Sequence, residues 1–301
     1  MLHFTFHPST GCFGTLAAVT PKSPVKASLT GVSETALLTL QVRALEAARP
    51  DRLIDDPMAI ELVKAIDFDF AKFGYAKRQD MALRALAFDA ATRRYLLTHP
   101  KATVVALAEG LQTTFFRLRD AGAGDQFRWL TVDLPPMVEL RRQLLPPSER
   151  VRMLGCSALD YSWMDEVDAG EGVFITAEGL LMYLQPDEAM GLIRECARRF
   201  PGGQMMFDLP PKRLHWLMQR GLRTSRRYTV PPMPFTLSVA ETANLVHTVP
   251  GVRAVHDVAY PKARGRVLNA LLWLSQRFRV FDDFRGHYVL LEFGAPKAAS
   301  R

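Results

Sequence analysis

The chain has 301 residues, 48% of them hydrophobic, and a net charge of +7 from 38 lysines and arginines against 31 aspartates and glutamates. That is enough apolar material for one large α/β domain with a lid or for two small domains, and there is no apolar run long enough to span a bilayer. The basic residues are scattered, as in Arg141-Arg142, Arg198-Arg199 and Arg226-Arg227, which reads as solvated helix faces and not as a nucleic-acid interface.

Residues 1–28, with their Pro, Ser, Thr and Gly, read as a flexible leader that lacks the basic start and continuous apolar core of a signal peptide. Ser33–Ala48 places Leu37, Leu40, Ala44, Ala47 and Ala48 near one face and predicts a helix with Ser33 as its N-cap. Pro50 ends it, and Asp55-Asp56-Pro57 starts a second, short helix. Asp80–Thr98 is a third helix, broken by His99-Pro100.

From Thr103 the pattern alternates. Strands are predicted at Thr103–Leu107, Trp129–Asp133, Val151–Gly155, Val173–Ala177 and Gln204–Asp208. Helices fall between them at Thr113–Ala121, Met137–Leu145, Trp163–Val167 and Asp187–Phe200. Such alternation predicts a doubly wound, mostly parallel sheet with helices on both faces. Beyond it, Pro210–Arg227 reads as a basic helix, Val230–Phe235 as a proline-rich loop and Leu237–His247 as a helix. Arg253–Ala259 and His287–Phe293 read as late strands, with an apolar helix at Val267–Phe278 between them.

Ala102–Leu118 (ATVVALAEGLQTTFFRL) carries the most chemistry. A buried strand, a turn at Gly110 and a helix, followed by an acidic residue, Asp133, at the next strand end, suit a nucleotide-like cofactor at the edge of a parallel sheet. The same pattern fits an ordinary strand–turn–helix with a capping aspartate. A nicotinamide cofactor suits the turn less well, because Ala108-Glu-Gly110-Leu-Gln-Thr113 lacks the third glycine of the dinucleotide fingerprint. Cys12, Cys156 and Cys196 form no CxxC, no disulfide framework and no Cys/His cluster at zinc spacing, so a reducing cytoplasm and no metal are expected.

Six segments in order resemble one family: Val32–Ala59, Leu83–Asp89 (LRALAFD), Val104–Leu118, Thr131–Leu145 (TVDLPPMVELRRQLL), Cys156–Met164 (CSALDYSWM) and Thr176–Gly203 (TAEGLLMYL onward). Together they are similar to class I S-adenosylmethionine-dependent methyltransferases, in the branch of leucine carboxyl methyltransferase and the tetracenomycin-type polyketide O-methyltransferases. The resemblance covers residues 33–210 well and the rest weakly. It implies a Rossmann-like α/β methyltransferase fold with N-terminal helices at 29–100, a cofactor core at 101–209, a C-terminal lid insertion at 210–285 and a last strand and tail at 286–301.

The resemblance also implies site roles. Arg84 would grip the carboxylate of S-adenosyl-L-methionine, with Arg43 as a second basic contact. Ala108 and Gly110 would pass under the methionine moiety, Asp133 would bind the ribose hydroxyls, and Ala158 and Leu159 would pack the adenine, with Asp160 either on its polar edge or capping a helix. Glu178 would lie by the sulfonium and ammonium, and Tyr183 would close over the substrate or pack a helix start. No catalytic base is assigned; Asp208 and His215 are the candidates, each with a structural reading beside it. The sequence departs from the family at Ala108, where a glycine is usual, and at Gln112, where an acidic residue is usual.

The expected activity is O-methylation of a hydroxyl or carboxyl oxygen on a small aromatic or polyketide-like molecule. A protein or peptide carboxyl methyltransferase and a non-catalytic binding relative are the alternatives. Neither nucleic acid nor membrane is expected as a partner.

Overall fold

The computed structural model describes residues 24–74 and 78–294. Its centre is a seven-stranded sheet. Five strands run parallel: β1 (Thr103–Leu107), β2 (Arg128–Asp133), β3 (Val151–Gly155), β4 (Val173–Ala177) and β5 (Gln204–Leu209). β6 (Val252–Val258) and β7 (His287–Phe293) add an antiparallel edge, giving the order β6-β7-β5-β4-β1-β2-β3. The order reverses between β1 and β4, so their carboxyl ends open the crevice where ligands bind in doubly wound sheets.

The strands are Val-, Ile-, Leu- and Phe-rich because both faces are covered. Successive side chains alternate between faces. Val104 and Ala106 join a core with Leu37, Leu40, Phe88, Phe115 and Leu140. Val105 and Leu107 join the opposite core with Leu192, Ile193, Cys196, Trp163 and Val249. The first core thereby buries helices α1 (Thr35–Ala47), α2 (Pro57–Ala65), α3 (Asp80–Thr98), α4 (Thr114–Asp120) and α5 (Pro135–Leu144), and the second buries α6 (Pro186–Arg199). α2 begins as its sequence suggests, with Pro57 in the first turn and the Asp56 side chain accepting the Ala59 N–H.

Several elements differ from the sequence-based expectation. Ser33 lies inside a 3-10 turn, Gly31–Glu34, and makes no capping bond. Val25–Lys26 pairs in parallel with Ile66–Asp67, and Ala27 and Leu29 are buried, so ordered structure reaches into the stretch assigned to the leader. Trp163–Val167 is a 3-10 turn, Tyr161–Glu166, capped by Asp160, which accepts the Ser162 N–H.

Pro210–Arg227 is not one helix. It holds a four-residue helix, His215–Met218, then Leu222–Arg223, which pairs with Thr229–Val230. Gly221, at φ +80°, stops the helix, and a Cβ there would stand 2.7 Å from the Val230 carbonyl. Leu237–His247 likewise divides into Val239–Ala243 and Leu245–Thr248. The apolar helix is α7 (Arg266–Arg277), none of whose residues is fully buried.

Candidate active site

At the end of β1 the backbone turns through Ala108 at φ +48° and Gly110 at φ +57°. The Ala108 N–H donates to the Val132 carbonyl at 2.8 Å, holding the turn to β2. At Gly110 a Cβ would come within 2.9 Å of the Ala36 Cβ of α1, so glycine serves both the φ and the close approach. Asp133, ending β2, accepts the Gly110 N–H at 2.7 Å and the Leu134 N–H at 2.8 Å. Burial raises its carboxyl above the ordinary range, and those two N–H groups offset part of the rise.

The turn is clamped by two side chains to which the sequence pattern assigned no such role, Glu109 within the turn itself and Arg141, which is buried and not on the solvated helix face expected for Arg141-Arg142. Arg141, on α5, donates through Nη1 to the carbonyls of Gly110 and Gln112 at 2.7 and 3.0 Å. Its Nη2 lies 2.9 Å from Glu109, whose carboxylate also accepts Thr131 Oγ1 and Trp129 Nε1. Both partners are almost fully buried, and desolvation pushes the Glu109 carboxyl up while Arg141 pulls it down. A signal was present: Arg141 falls on the apolar stripe of α5 with Met137, Val138 and Leu144, where a charge is kept only if paired.

Across the crevice, Glu178 follows β4. Its Oε1 accepts Arg84 Nε at 2.9 Å and Gln112 Nε2 at 2.6 Å. Arg84 also reaches Asp208 at 3.3 Å, and Asp208 accepts the Gly179 N–H at 2.6 Å. Burial works against the Arg84 charge, but Asp208 and Glu178 outweigh it and hold the guanidinium above its ordinary value. Gln112 Oε1 is buried with no partner.

Between these two groups lies a cavity of about 390 Å³ lined by Arg84, Ala108, Gly110, Asp133, Ala158, Leu159, Glu178 and Tyr183. A larger cavity of about 790 Å³ lies among α2, α3 and α4, away from the strand ends. The smaller one holds the convergent polar groups and the switch point, and it is the candidate site.

The sequence pattern of the family described as Leucine carboxyl methyltransferase matches residues 36–197. That span runs from α1 into the last turn of α6 and contains every residue named above as lining the cavity. The chain belongs to the leucine carboxyl methyltransferase family. It is 35% identical over 228 residues to the tetracenomycin polyketide synthesis O-methyltransferase TcmP of Streptomyces glaucescens, spanning 75% of this chain and 82% of that protein. It is 27% identical over 281 residues to an S-adenosyl-L-methionine-dependent methyltransferase, dpfgK, of Gibberella zeae, spanning 85% and 93%. Among solved structures, a putative methyltransferase of Thermobifida fusca superposes with a TM-score of 0.53 at 15% identity, covering 85% of this chain and 94% of that one. The α/β fold and its mostly parallel sheet are those of a Rossmann-like methyltransferase, and the enzyme is S-adenosyl-L-methionine-dependent.

Eight of the nine residues assigned to this methyltransferase's site converge on the cavity; Arg43 does not. Arg43 is fully buried in α1, with Nε donating to Asp56 at 3.2 Å and Nη2 to the Leu111 carbonyl at 2.7 Å. Burial lowers its pKa. With Asp56, Arg117, Asp89 and Thr113 it forms a network that fixes the N-terminal helices to the start of α4. The sequence could not separate the two roles, because an arginine on an amphipathic helix looks the same facing a ligand or a carboxylate.

Of the candidate bases, Asp208 is occupied by Arg84 and Gly179, and His215 Nε2 sits 2.9 Å from the Pro234 carbonyl. Neither lines the cavity. Val230 and Met233 of the proline-rich segment do line it, whereas no residue of α7 does.

The residues fit S-adenosylmethionine by their chemistry. The ligand has one carboxylate, which Arg84 matches; three of its five N–H donors remain after the bonds to Glu178 and Asp208. Its ammonium and sulfonium match Glu178 and the unpartnered Gln112 Oε1. Its ribose diol matches the Asp133 carboxylate, and Ala158 and Leu159 offer apolar surface to a purine.

Proposed function

We propose that this methyltransferase transfers the methyl group to an oxygen of a small, largely apolar, polyketide-like or aromatic acceptor that is already anionic near neutral pH. The observation that carries this reading is the absence of a spare base among the described residues of the cavity. Asp133, Glu109 and Glu178 are its carboxylates, and each is held by the hydrogen bonds given above. A carboxylate or an acidic phenol needs no base to attack. The apolar wall supports a small apolar acceptor: Met81, Met182, Leu222, Val230 and Met233 line the cavity beside Tyr183. The tetracenomycin relative is in keeping with a polyketide-like one.

S-adenosylmethionine, when bound, supplies a methyl group already activated on a sulfonium. The protein's part is alignment and exclusion of water. Arg84, Glu178 and Gln112 would hold the methionine end, Asp133 the ribose, and Ala158 and Leu159 the adenine. Tyr183, whose hydroxyl burial pushes up in pKa, stays a neutral donor beside the acceptor.

The test is incubation of the full chain with S-adenosylmethionine and a panel of aromatic carboxylic acids, acidic phenols, ordinary aliphatic alcohols and peptides with a free C-terminal leucine, followed by mass spectrometry. Methyl esters or aryl ethers are expected from the first two groups and none from the alcohols. Methylation of the peptides alone would replace the small acceptor with a protein carboxylate. Tight cofactor binding with no transfer to any class would leave a non-catalytic binding protein.

A further inference from the structure

The segments on either side of β6 carry a surface that the methyl-transfer site does not use. α7 turns its outward arc to solvent with Val267, Leu271 and Trp273 between Arg266 and Arg277. The outward arc of a surface helix is ordinarily polar. The following 3-10 turn, Arg279–Phe284, exposes Val280, Phe281 and Phe284. Beside it, the turn and short helix at 212–218 expose Leu214, Trp216 and Leu217. Arg213 stacks 5.0 Å over the Phe284 ring and joins the two segments into one surface. Two of the chain's four tryptophans stand on it, 62% exposed at Trp216 and 61% at Trp273.

The charge of these segments is one-sided. From Asp208 to Glu241 the sequence holds Lys212, Arg213, Arg220, Arg223, Arg226 and Arg227 with no acidic residue between. From Asp257 to Asp282 it holds Lys262, Arg264, Arg266, Arg277 and Arg279, again with none between; Asp282 and Asp283 close the turn before Phe284, Asp282 paired with Arg285, and the arginines still outnumber them. Lys212, Arg227 and Arg264 find carboxylates elsewhere in the fold. Among the described residues, Arg213, Arg220, Arg266, Arg277 and Arg279 form no ion pair; Arg277 instead caps the Phe278 ring at 5.9 Å.

We infer that this surface docks on an anionic phospholipid bilayer. Trp, Phe, Leu and Val interleaved with arginine is the composition of an interfacial segment, whose rings enter the headgroup layer while the guanidinium groups meet the phosphates. A second copy of the chain is a poorer occupant, because a self-complementary contact would bring these arginines face to face. No helix among the described residues is long and apolar enough to cross a membrane, so the contact is peripheral. Such a contact runs against the expectation that no membrane takes part: the charge is scattered along the sequence, and the fold sets the turn at 212–214 against the turn at 279–284.

The experiment is co-sedimentation of the full chain with phosphatidylcholine vesicles, with and without phosphatidylglycerol, at low and high salt. The protein should pellet with the phosphatidylglycerol vesicles, shift its tryptophan emission to the blue and be released by salt. Replacing Arg277 and Arg279 by alanine should weaken partitioning about fivefold for each charge removed. The double variant Trp216→Ser with Trp273→Ser should abolish the emission shift. Leu97→Ser, at an exposed position on α3, should change nothing, and thermal melting of every variant shows that it is folded; if a double variant melts early, Arg279→Glu replaces it. Equal pelleting with both vesicle types, or none with either, overturns the inference. Binding to polyglutamate without binding to vesicles overturns it in favour of an acidic protein. A dimer that the tryptophan variant dissociates, without vesicle binding, overturns it in favour of self-association.

Discussion

Ala108 is the one described non-glycine residue with positive φ, and it stands at the tightest point of the cofactor turn. An L-side chain in that region is strained by about 1–2 kcal/mol, while glycine loses roughly 0.5–1 kcal/mol of that gain through its freer unfolded chain. Ala108→Gly should therefore raise unfolding free energy by about 0.5–1 kcal/mol in urea titrations, without weakening cofactor binding. A lower stability would mean that the methyl group makes contacts worth more than the strain. Gln112 offers a sharper separation. Gln112→Leu removes both the bond to Glu178 and the unpartnered acceptor, and should weaken S-adenosylhomocysteine about tenfold. It should leave methylthioadenosine, which has no amino-acid end, nearly unchanged; equal losses for both ligands would contradict the placement of Gln112. These residues were legible because Gly110, Asp133 and Glu178 stand at strand ends, where position along the chain is also position at the crevice. Arg43 was not, since its direction from α1 depends on Asp56 and Leu111, residues far from it in sequence.

The helix that bears Arg141 does more than cover the sheet. Arg141→Met leaves Glu109 buried and unpaired, which is expected to cost about 3–5 kcal/mol. Adding Glu109→Gln should recover part of that loss, and chemical denaturation of the two variants checks it; additive losses would contradict a direct pair. β7 carries a pH-dependent contribution. His287 is buried, its Nε2 3.0 Å from Thr242 Oγ1, and burial lowers its pKa from 6.5 to about 4. The folded state holds it neutral while the unfolded chain takes up a proton below 6.5. Its contribution is therefore complete above that value and lost as pH falls toward about 4. Between about pH 7 and about pH 5 the loss is about 2 kcal/mol. Urea midpoints should fall in that window for the wild type and fall less for His287→Gln; parallel curves would contradict it. The long strands and α3 were readable from apolar periodicity. The stretch 210–227 was not, because a period of 3.6 cannot show that Gly221 must pass a carbonyl, nor that Thr229–Val230 returns to pair with Leu222–Arg223.

Across the molecule, the sequence places five parallel strands in order, and the fold places the reversal between β1 and β4, which turns two distant motifs into the two walls of one cavity. The antiparallel edge completes the sheet and buries Tyr288 near Arg84 and Asp208, so the C-terminal strand supports the polar cluster at the crevice. The acceptor's identity was not legible in the sequence, since the residues that line its side of the cavity come from four separate segments with no motif of their own. The measurement that decides the account is calorimetric titration with S-adenosylhomocysteine of the wild type and of Asp133→Ala. One binding site in the wild type, lost in a variant that melts normally, is the predicted result. No binding by the wild type, or near-equal affinity in both proteins, would contradict the cavity at the carboxyl ends of β1 and β4 as the cofactor site.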